Sequence, residues 1–229
     1  MNSIAEHLDD ACLLNQNSGH SELAAVCSLA VTHGIYGIVT PLYHVPAASE
    51  LLAGSEVNLA SVISFPYGFD DIHSKVTAIT SAIRAGAEAI DFVVNISALF
   101  DKDLEYLEEE MHAIGELSVI SKAIIELSLL SPAQVKLVCE IIEDSNIDCV
   151  KTCTGKLSNS LKLSFKDKLK RIELIKKHAP SKLVKFSGGV DTLEKAKTVV
   201  EAGVDLIGTS KSFSIVKEEQ QDNQETTEN

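Results

Sequence analysis

Short runs of β-forming residues recur along this chain with segments of helical period between them, and that rhythm restricts the fold more than any other feature. The runs are Ile35 to Val39, Val57 to Ile63, Ala89 to Val94, Ala123 to Ile125, Cys149 to Thr152, Leu183 to Phe186 and Leu206 to Gly208. Between them, apolar residues recur three or four positions apart on one helical face, as in Val76, Ile79 and Ile83, in Val135, Val138 and Ile142, and in Leu169, Ile172 and Ile175. From Ala89 onward the strand starts are roughly 20 to 35 residues apart, the length of one βα repeat. A further strand near Leu8 to Leu14 brings the set to eight. Eight repeats predict an α/β fold closed into a single (β/α)8 TIM barrel over residues 1–216. An open doubly wound sheet uses the same alternation, but no Gly-x-Gly-x-x-Gly follows the first strand, so its dinucleotide-binding form has no support.

With 229 residues, 45% of them hydrophobic, the chain is long enough for one large core. Its 20 basic and 33 acidic residues give a net charge of −13, which opposes nonspecific binding to nucleic acid or to an anionic membrane. A phosphate group on a ligand must therefore be caught by a local site. The five cysteines (Cys12, Cys27, Cys139, Cys149, Cys153) are odd in number, form no Cys-x-x-Cys pair and sit mostly in apolar runs, which fits a reducing cytosol. Met1 to Asp10 carry no basic stretch followed by an apolar core, so a soluble cytoplasmic protein is expected. After Val216 the composition turns polar and acidic without an apolar face, and residues 217–229 are expected to be a disordered acidic C-terminal tail.

The working residues of a TIM barrel sit at the C-terminal ends of its strands. Side chains alternate by face in Cys149-Val150-Lys151-Thr152 and in Leu183-Val184-Lys185-Phe186. If the valines face the helices, both lysines face the barrel interior, on neighbouring strands. Burial and like-charge repulsion each lower a lysine pKa, and a partly neutral amine can attack an aldehyde to form a carbinolamine and then an imine. Lys151 and Lys185 thus read as a nucleophile and its pKa-lowering neighbour, in either order. Asp91 interrupts the apolar run Ile90-Asp91-Phe92-Val93-Val94 and, facing inward, could move protons through a water. A single lysine at a strand end is usually a solvated terminus, but three ionisable groups on three strands of one barrel need a set that can pair or neutralise.

Two glycine-bearing loops follow the last two strands: Ser187-Gly188-Gly189-Val190 and Gly208-Thr209-Ser210, each leading toward a helix. Glycine lets backbone approach a ligand closely, and a helix N-terminus presents free N–H groups to an anion. Loops in these positions are the usual phosphate site of the fold.

At this point Val150-Lys151-Thr152-Cys153-Thr154-Gly155 resembles the signature around the Schiff-base lysine of the deoxyribose-phosphate aldolase family. Val184-Lys185-Phe186-Ser187-Gly188-Gly189-Val190 resembles that family's second lysine with its phosphate loop, and Gly86 to Asn95 resembles the stretch with its proton-relay aspartate. Weaker matches are Val62 to Gly68, Lys122 to Glu126 and Ile207 to Ser210, so the resemblance runs from the first strand to Ser210. It implies that Lys151 is the nucleophile, Lys185 its neighbour and Asp91, with ordered water, the proton carrier. It further implies that Thr154, Gly155, Lys156, Gly188, Gly189, Gly208, Ser210 and Lys211 bind the substrate and its phosphate. The implied reaction is reversible cleavage of 2-deoxy-D-ribose 5-phosphate to acetaldehyde and D-glyceraldehyde 3-phosphate. The imine is the electron sink, which implies no cofactor and no metal. The implied partners are small molecules, a sugar phosphate and acetaldehyde, and the barrel is expected to self-associate as a homodimer.

Three positions depart from the family pattern. Ala11 stands where the first-strand motif usually has threonine, Cys153 stands for serine in the lysine signature, and the tail holds no tyrosine. These leave two other readings open: a class I aldolase for another sugar phosphate, and a catalytically weak module that binds one. The seven histidines (His7, His20, His33, His44, His73, His112, His178) show no ligand spacing, and the sequon Asn95-Ile96-Ser97 falls at a strand end where it has no use.

Overall fold

The computed structural model describes residues 3–15 and 17–227. Eight parallel strands, β1 (Leu8–Asp10), β2 (Gly37–Pro41), β3 (Asn58–Ile63), β4 (Ala89–Val93), β5 (Ile120–Ile124), β6 (Cys149–Lys151), β7 (Leu183–Ser187) and β8 (Leu206–Thr209), close into a barrel in chain order. Around it lie α1 (His20–His33), α2 (Val45–Leu52), α3 (Ile72–Arg84), α4 (Ile96–Asp101), α5 (Leu104–Gly115), α6 (Pro132–Glu143), α7 (Phe165–His178), α8 (Leu193–Glu201) and α9 (Ser212–Thr227). The expected barrel is therefore the observed one. Among the described residues no helix is long and apolar enough to cross a membrane.

Strand alternation divides the core in two. Val150, Val184 and Phe186 belong to the large cluster that joins the strands' outer face to the helices, together with Val135, Val138, Ile142, Ile172 and Ile175 from the expected helical faces. A smaller cluster of Val39, Ala60 and Ala89 lies on the same face as Asp91, in the barrel interior. Glycine supplies room there. A Cβ on Gly37 would lie 3.1 Å from Asp9 Oδ1 and 2.8 Å from the Asn58 carbonyl oxygen, and one on Gly208 would lie 2.4 Å from Ser187 Oγ and 3.2 Å from Lys185 Cε. These two glycines flank Asp9 in the register and leave the interior space that the charged side chains fill.

Two boundaries moved by three residues or more, and β2 shifted by two, from the expected Ile35 to Val39 to Gly37–Pro41. β5 begins at Ile120, earlier than the expected Ala123, because Ser121 and Lys122 continue the ladder despite their polarity. The strand near the N-terminus is only Leu8–Asp10, and Cys12–Leu14 form a single 3-10 turn.

The expectation of a disordered tail from residue 217 also gives way, since α9 continues to Thr227, while residues 228–229 lie outside the described ones. Beyond the apolar anchor of Ile215 and Val216, acidic residues dock the helix. Glu219 accepts from Ser3 Oγ at 2.7 Å and from Ile4 N at 3.0 Å, Glu218 accepts from Leu193 N at 2.8 Å, and Ile215 and Val216 just before them are buried.

A buried ion pair fixes the end of β4. Lys75 on α3 donates to Glu110 on α5 and to the Val93 carbonyl oxygen, while Glu110 Oε2 accepts from Asn95 N at 3.1 Å. Both side chains are 0% exposed, and burial pushes the Glu110 carboxyl up despite Lys75 beside it. Glu110→Ala leaves an ammonium buried without its counter-ion, and the expected cost is about 3–5 kcal/mol in denaturant unfolding. A loss under about 1 kcal/mol would mean that the pair contributes no more than a surface one.

Candidate active site

Register brings the ionisable residues together. Asp91 pairs with Lys122 across β4 and β5, and Lys151 pairs with Lys185 across β6 and β7. With Asp9 from β1 they form a cluster of five charged side chains, none more than 4% exposed. Asp91 Oδ2 accepts from Lys151 Nζ at 2.6 Å and from Lys185 Nζ at 2.7 Å, while its Oδ1 accepts from Lys122 Nζ at 3.1 Å. Asp9 Oδ2 accepts from Lys185 Nζ at 2.5 Å and lies 3.9 Å from Lys122 Nζ. The two lysines expected to share a cavity therefore bond to one and the same oxygen.

The cluster holds three amines against two carboxylates, so it carries one positive charge too many when every amine is protonated. A net charge in a buried site is costly, and the amine with least carboxylate support gives up its proton most easily. Lys122 and Lys185 each lie within 4 Å of both Asp9 and Asp91, whereas Lys151 has Asp91 alone. Burial pushes the Lys151 amine below the ordinary lysine range, Lys185 beside it adds to the shift, and Asp91 opposes both without reversing it. Burial acts the same way on Lys122, but there Asp91 and Asp9 outweigh it and hold the amine above its ordinary range. Burial favours protonation of Asp91, yet the three surrounding lysines outweigh it and hold the carboxyl well below its usual range. Asp9 and Lys122 were not singled out from the sequence as site residues.

A cavity of about 310 Å³ opens above the cluster, a volume at the lower end of small-molecule sites. Lys151 lines it, as do Thr154, Gly155, Lys156, Gly188, Gly189, Gly208, Ser210 and Lys211, so every residue expected from the glycine loops and the lysine signature meets there. Gly188 and Gly189 have φ of +85° and +88°, consecutive left-handed conformations that favour glycine and make the tight turn under the cavity floor. Ser187 Oγ also lines the cavity, is buried, and has no hydrogen-bond partner among the described residues. Glu126, at the end of β5 with φ +46°, accepts from Thr154 N at 3.1 Å and from Thr154 Oγ1 at 2.5 Å. Thr154 Oγ1 in turn accepts from Lys156 N at 3.1 Å, so Glu126 fixes the loop that carries Gly155 and Lys156.

The departures noted in the sequence separate by location. Ala11 lines the cavity, so the missing hydroxyl bears on what the site holds. Cys153 belongs to the helix-facing core, where burial pushes its thiol up to about 11 and Ser128 Oγ is its polar neighbour at 3.7 Å.

The profile of the family described as DeoC/LacD family aldolase matches residues 7–210. A deoxyribose-phosphate aldolase of Caldicellulosiruptor saccharolyticus is 34% identical over 222 residues, which cover 94% of this chain and 98% of that protein. A solved aldolase called QR15 superposes with a TM-score of 0.88 at 31% identity, covering 96% of this chain and 97% of its own. The deoxyribose phosphate aldolase of Aeropyrum pernix, described as a tetramer, superposes with a TM-score of 0.83 at 25% identity, covering 95% of this chain and 91% of its own.

Proposed function

Because this chain belongs to the DeoC/LacD aldolase family, we propose that it is a class I aldolase, cleaving 2-deoxy-D-ribose 5-phosphate reversibly to acetaldehyde and D-glyceraldehyde 3-phosphate through an imine on Lys151. The observation that carries the reading is that Lys151, of the three clustered amines, both has the weaker carboxylate support and lines the cavity with the glycine loops. The neutral Nζ of Lys151 adds to the aldehyde carbon of the open-chain sugar, and the carbinolamine loses water to give a protonated imine. A base removes the proton of the C3 hydroxyl, the C2–C3 bond breaks, and its electron pair moves to the iminium nitrogen as an enamine. Asp91, held ionised by three amines, offsets the iminium charge and passes protons through an ordered water; the enamine is protonated and hydrolysed to release acetaldehyde. The electron pair rests on the imine nitrogen, so the reading needs no cofactor. Lys156, Ser210, Lys211 and the N–H groups around Gly188 and Gly189 take the phosphate, with Thr154, Gly155 and Gly208 shaping the site.

The direct test is reductive trapping. Borohydride with acetaldehyde is expected to add one ethyl group to the protein, on Lys151 by peptide mass mapping; an adduct elsewhere, or none, removes the proposal. Lys185 supplies part of the shift on Lys151, so Lys185→Leu is expected to move the rising limb of the kcat/KM profile to higher pH. The sign follows because fewer positive neighbours make the protonated amine easier to keep. An unmoved limb would deny Lys185 this role.

Ala11 on the cavity wall favours a second reading, in which the imine chemistry is kept and the preferred sugar phosphate differs. Faster turnover of a ketose phosphate than of 2-deoxyribose 5-phosphate would select it. The assembly in this reading is a cytoplasmic homodimer, with a tetramer as in the Aeropyrum pernix relative as the alternative, decided by sedimentation mass.

A further inference from the structure

Lys168 is one of five lysines on α7, yet it is only 6% exposed. Its Nζ donates to the Ser187 carbonyl oxygen at 3.0 Å and to the Gly188 carbonyl oxygen, and it stands 5.0 Å above the Phe186 ring. A Cβ on Gly188 would lie 3.0 Å from this amine. The lysine head therefore sits directly against the Gly188-Gly189 turn, on the side away from solvent.

In a trans peptide the C=O and N–H groups point in opposite directions. An amine that draws the Ser187 and Gly188 carbonyls toward α7 thus turns the N–H groups of Gly188 and Gly189 the other way. Both glycines line the cavity, and among the described residues neither N–H finds an acceptor. Among the described residues no carboxylate lies within ion-pair distance of Lys168 Nζ either, so the charge beneath this turn has no counter-ion of its own. Asp191, the carboxylate among the cavity-lining residues, is taken up by Lys195 Nζ at 2.6 Å.

We infer that Lys168 is a positioning residue for anion recognition: it locks the peptide planes of the Ser187-Gly188-Gly189 turn so that their N–H groups face the substrate phosphate, and that phosphate completes its charge balance. The inference deepens the proposed function, since it rests on reading this cavity wall as the phosphate site.

The test uses Lys168→Met, which keeps the length of the side chain and removes the donor and the charge, and Lys168→Arg, which restores both. For Lys168→Met, inorganic phosphate is expected to bind about tenfold or more weakly by calorimetry, the loss typical of removing a charged hydrogen-bond donor. KM for 2-deoxyribose 5-phosphate is expected to rise by a similar factor while kcat changes by less than about threefold, because uniform binding is lost and the imine chemistry is not. Turnover of unphosphorylated 2-deoxyribose is expected to stay within about twofold, and Lys168→Arg to recover phosphate affinity to within about threefold of wild type. Unchanged phosphate affinity in Lys168→Met, or equal loss on both sugars, overturns the inference. Should Lys168→Met fail to fold, Lys168→Arg decides alone, since a tenfold loss of phosphate affinity in a folded protein with both donors restored is incompatible with it. If wild type turns over no 2-deoxyribose 5-phosphate, the aldolase reading fails, and the phosphate-binding comparison still tests Lys168.

Discussion

Lys151→Met is expected to lose aldol turnover by on the order of 10⁴-fold or more, since the cavity loses the amine that stands in the buried charged cluster, while Lys156 and Lys211 lie with the glycine loops that take the phosphate. The same variant is expected to be as stable as wild type, or more so. Methionine is close to lysine in length, and its substitution removes the one positive charge that Asp9 and Asp91 leave unbalanced in the buried cluster. Kinetics together with thermal unfolding therefore separate a chemical defect from a folding defect. The borohydride adduct with acetaldehyde should vanish in parallel. An undiminished adduct, or turnover within about tenfold of wild type, would take Lys151 out of the covalent role.

Asp91→Asn is the second large effect and a more discriminating one. The carboxylate accepts from Lys122, Lys151 and Lys185, and removing its charge leaves three amines facing Asp9 alone. Asp91 raises the proton affinity of Lys151, so its loss lowers the Lys151 pKa further and the neutral amine becomes more abundant near pH 7. Reductive trapping of acetaldehyde at neutral pH should then proceed at least as readily as in wild type. Turnover is nevertheless expected to fall by on the order of 10² to 10⁴-fold, because removal of the C3 hydroxyl proton and protonation of the enamine, which trapping does not need, have lost their relay. A decline in trapping as steep as the decline in turnover would mean that Asp91 supplies the nucleophile and not the proton path. Stability carries a pH signature as well. Asp91 is held ionised in the folded protein, so its contribution is present above the unfolded aspartate pKa and is lost as pH falls through the depressed folded value; Asp91→Asn should flatten that acid limb.

Much of this site could be read along the chain, and the exceptions share a cause. Lys151 and Lys185 were legible because each lies one residue from a buried valine on a strand, and alternation then assigns the face. Asp91 stood out as one charge in an apolar run. Lys122 did not, because Ser121 beside it blurs the apolar character of β5 and the strand was read as starting after it. Asp9 was hidden by Asp10, since a pair of adjacent acids gives no sign of which one faces inward. Only closure of β1 onto β8 brings Asp9 to Lys185, a contact between residues 176 apart. Lys168 sits among other lysines on α7, and nothing in that run marks it as the one that turns beneath the loop. The acidic segment after Val216 has no apolar stripe, so its helix was not foreseen; it is fixed by Glu218 and Glu219 on neighbouring elements.

The sequence by itself determined the alternating architecture, the inward parity of Lys151 and Lys185 and the glycine turns that follow β7 and β8, because each follows from local periodicity and local backbone freedom. Which amine is free to lose its proton was decided only by the closed barrel. Proton affinity in a buried cluster depends on distances among charges from β1, β4, β5, β6 and β7, and Asp9 on β1 and Asp91 on β4 reach Lys185 on β7 across the interior only when the sheet closes on itself.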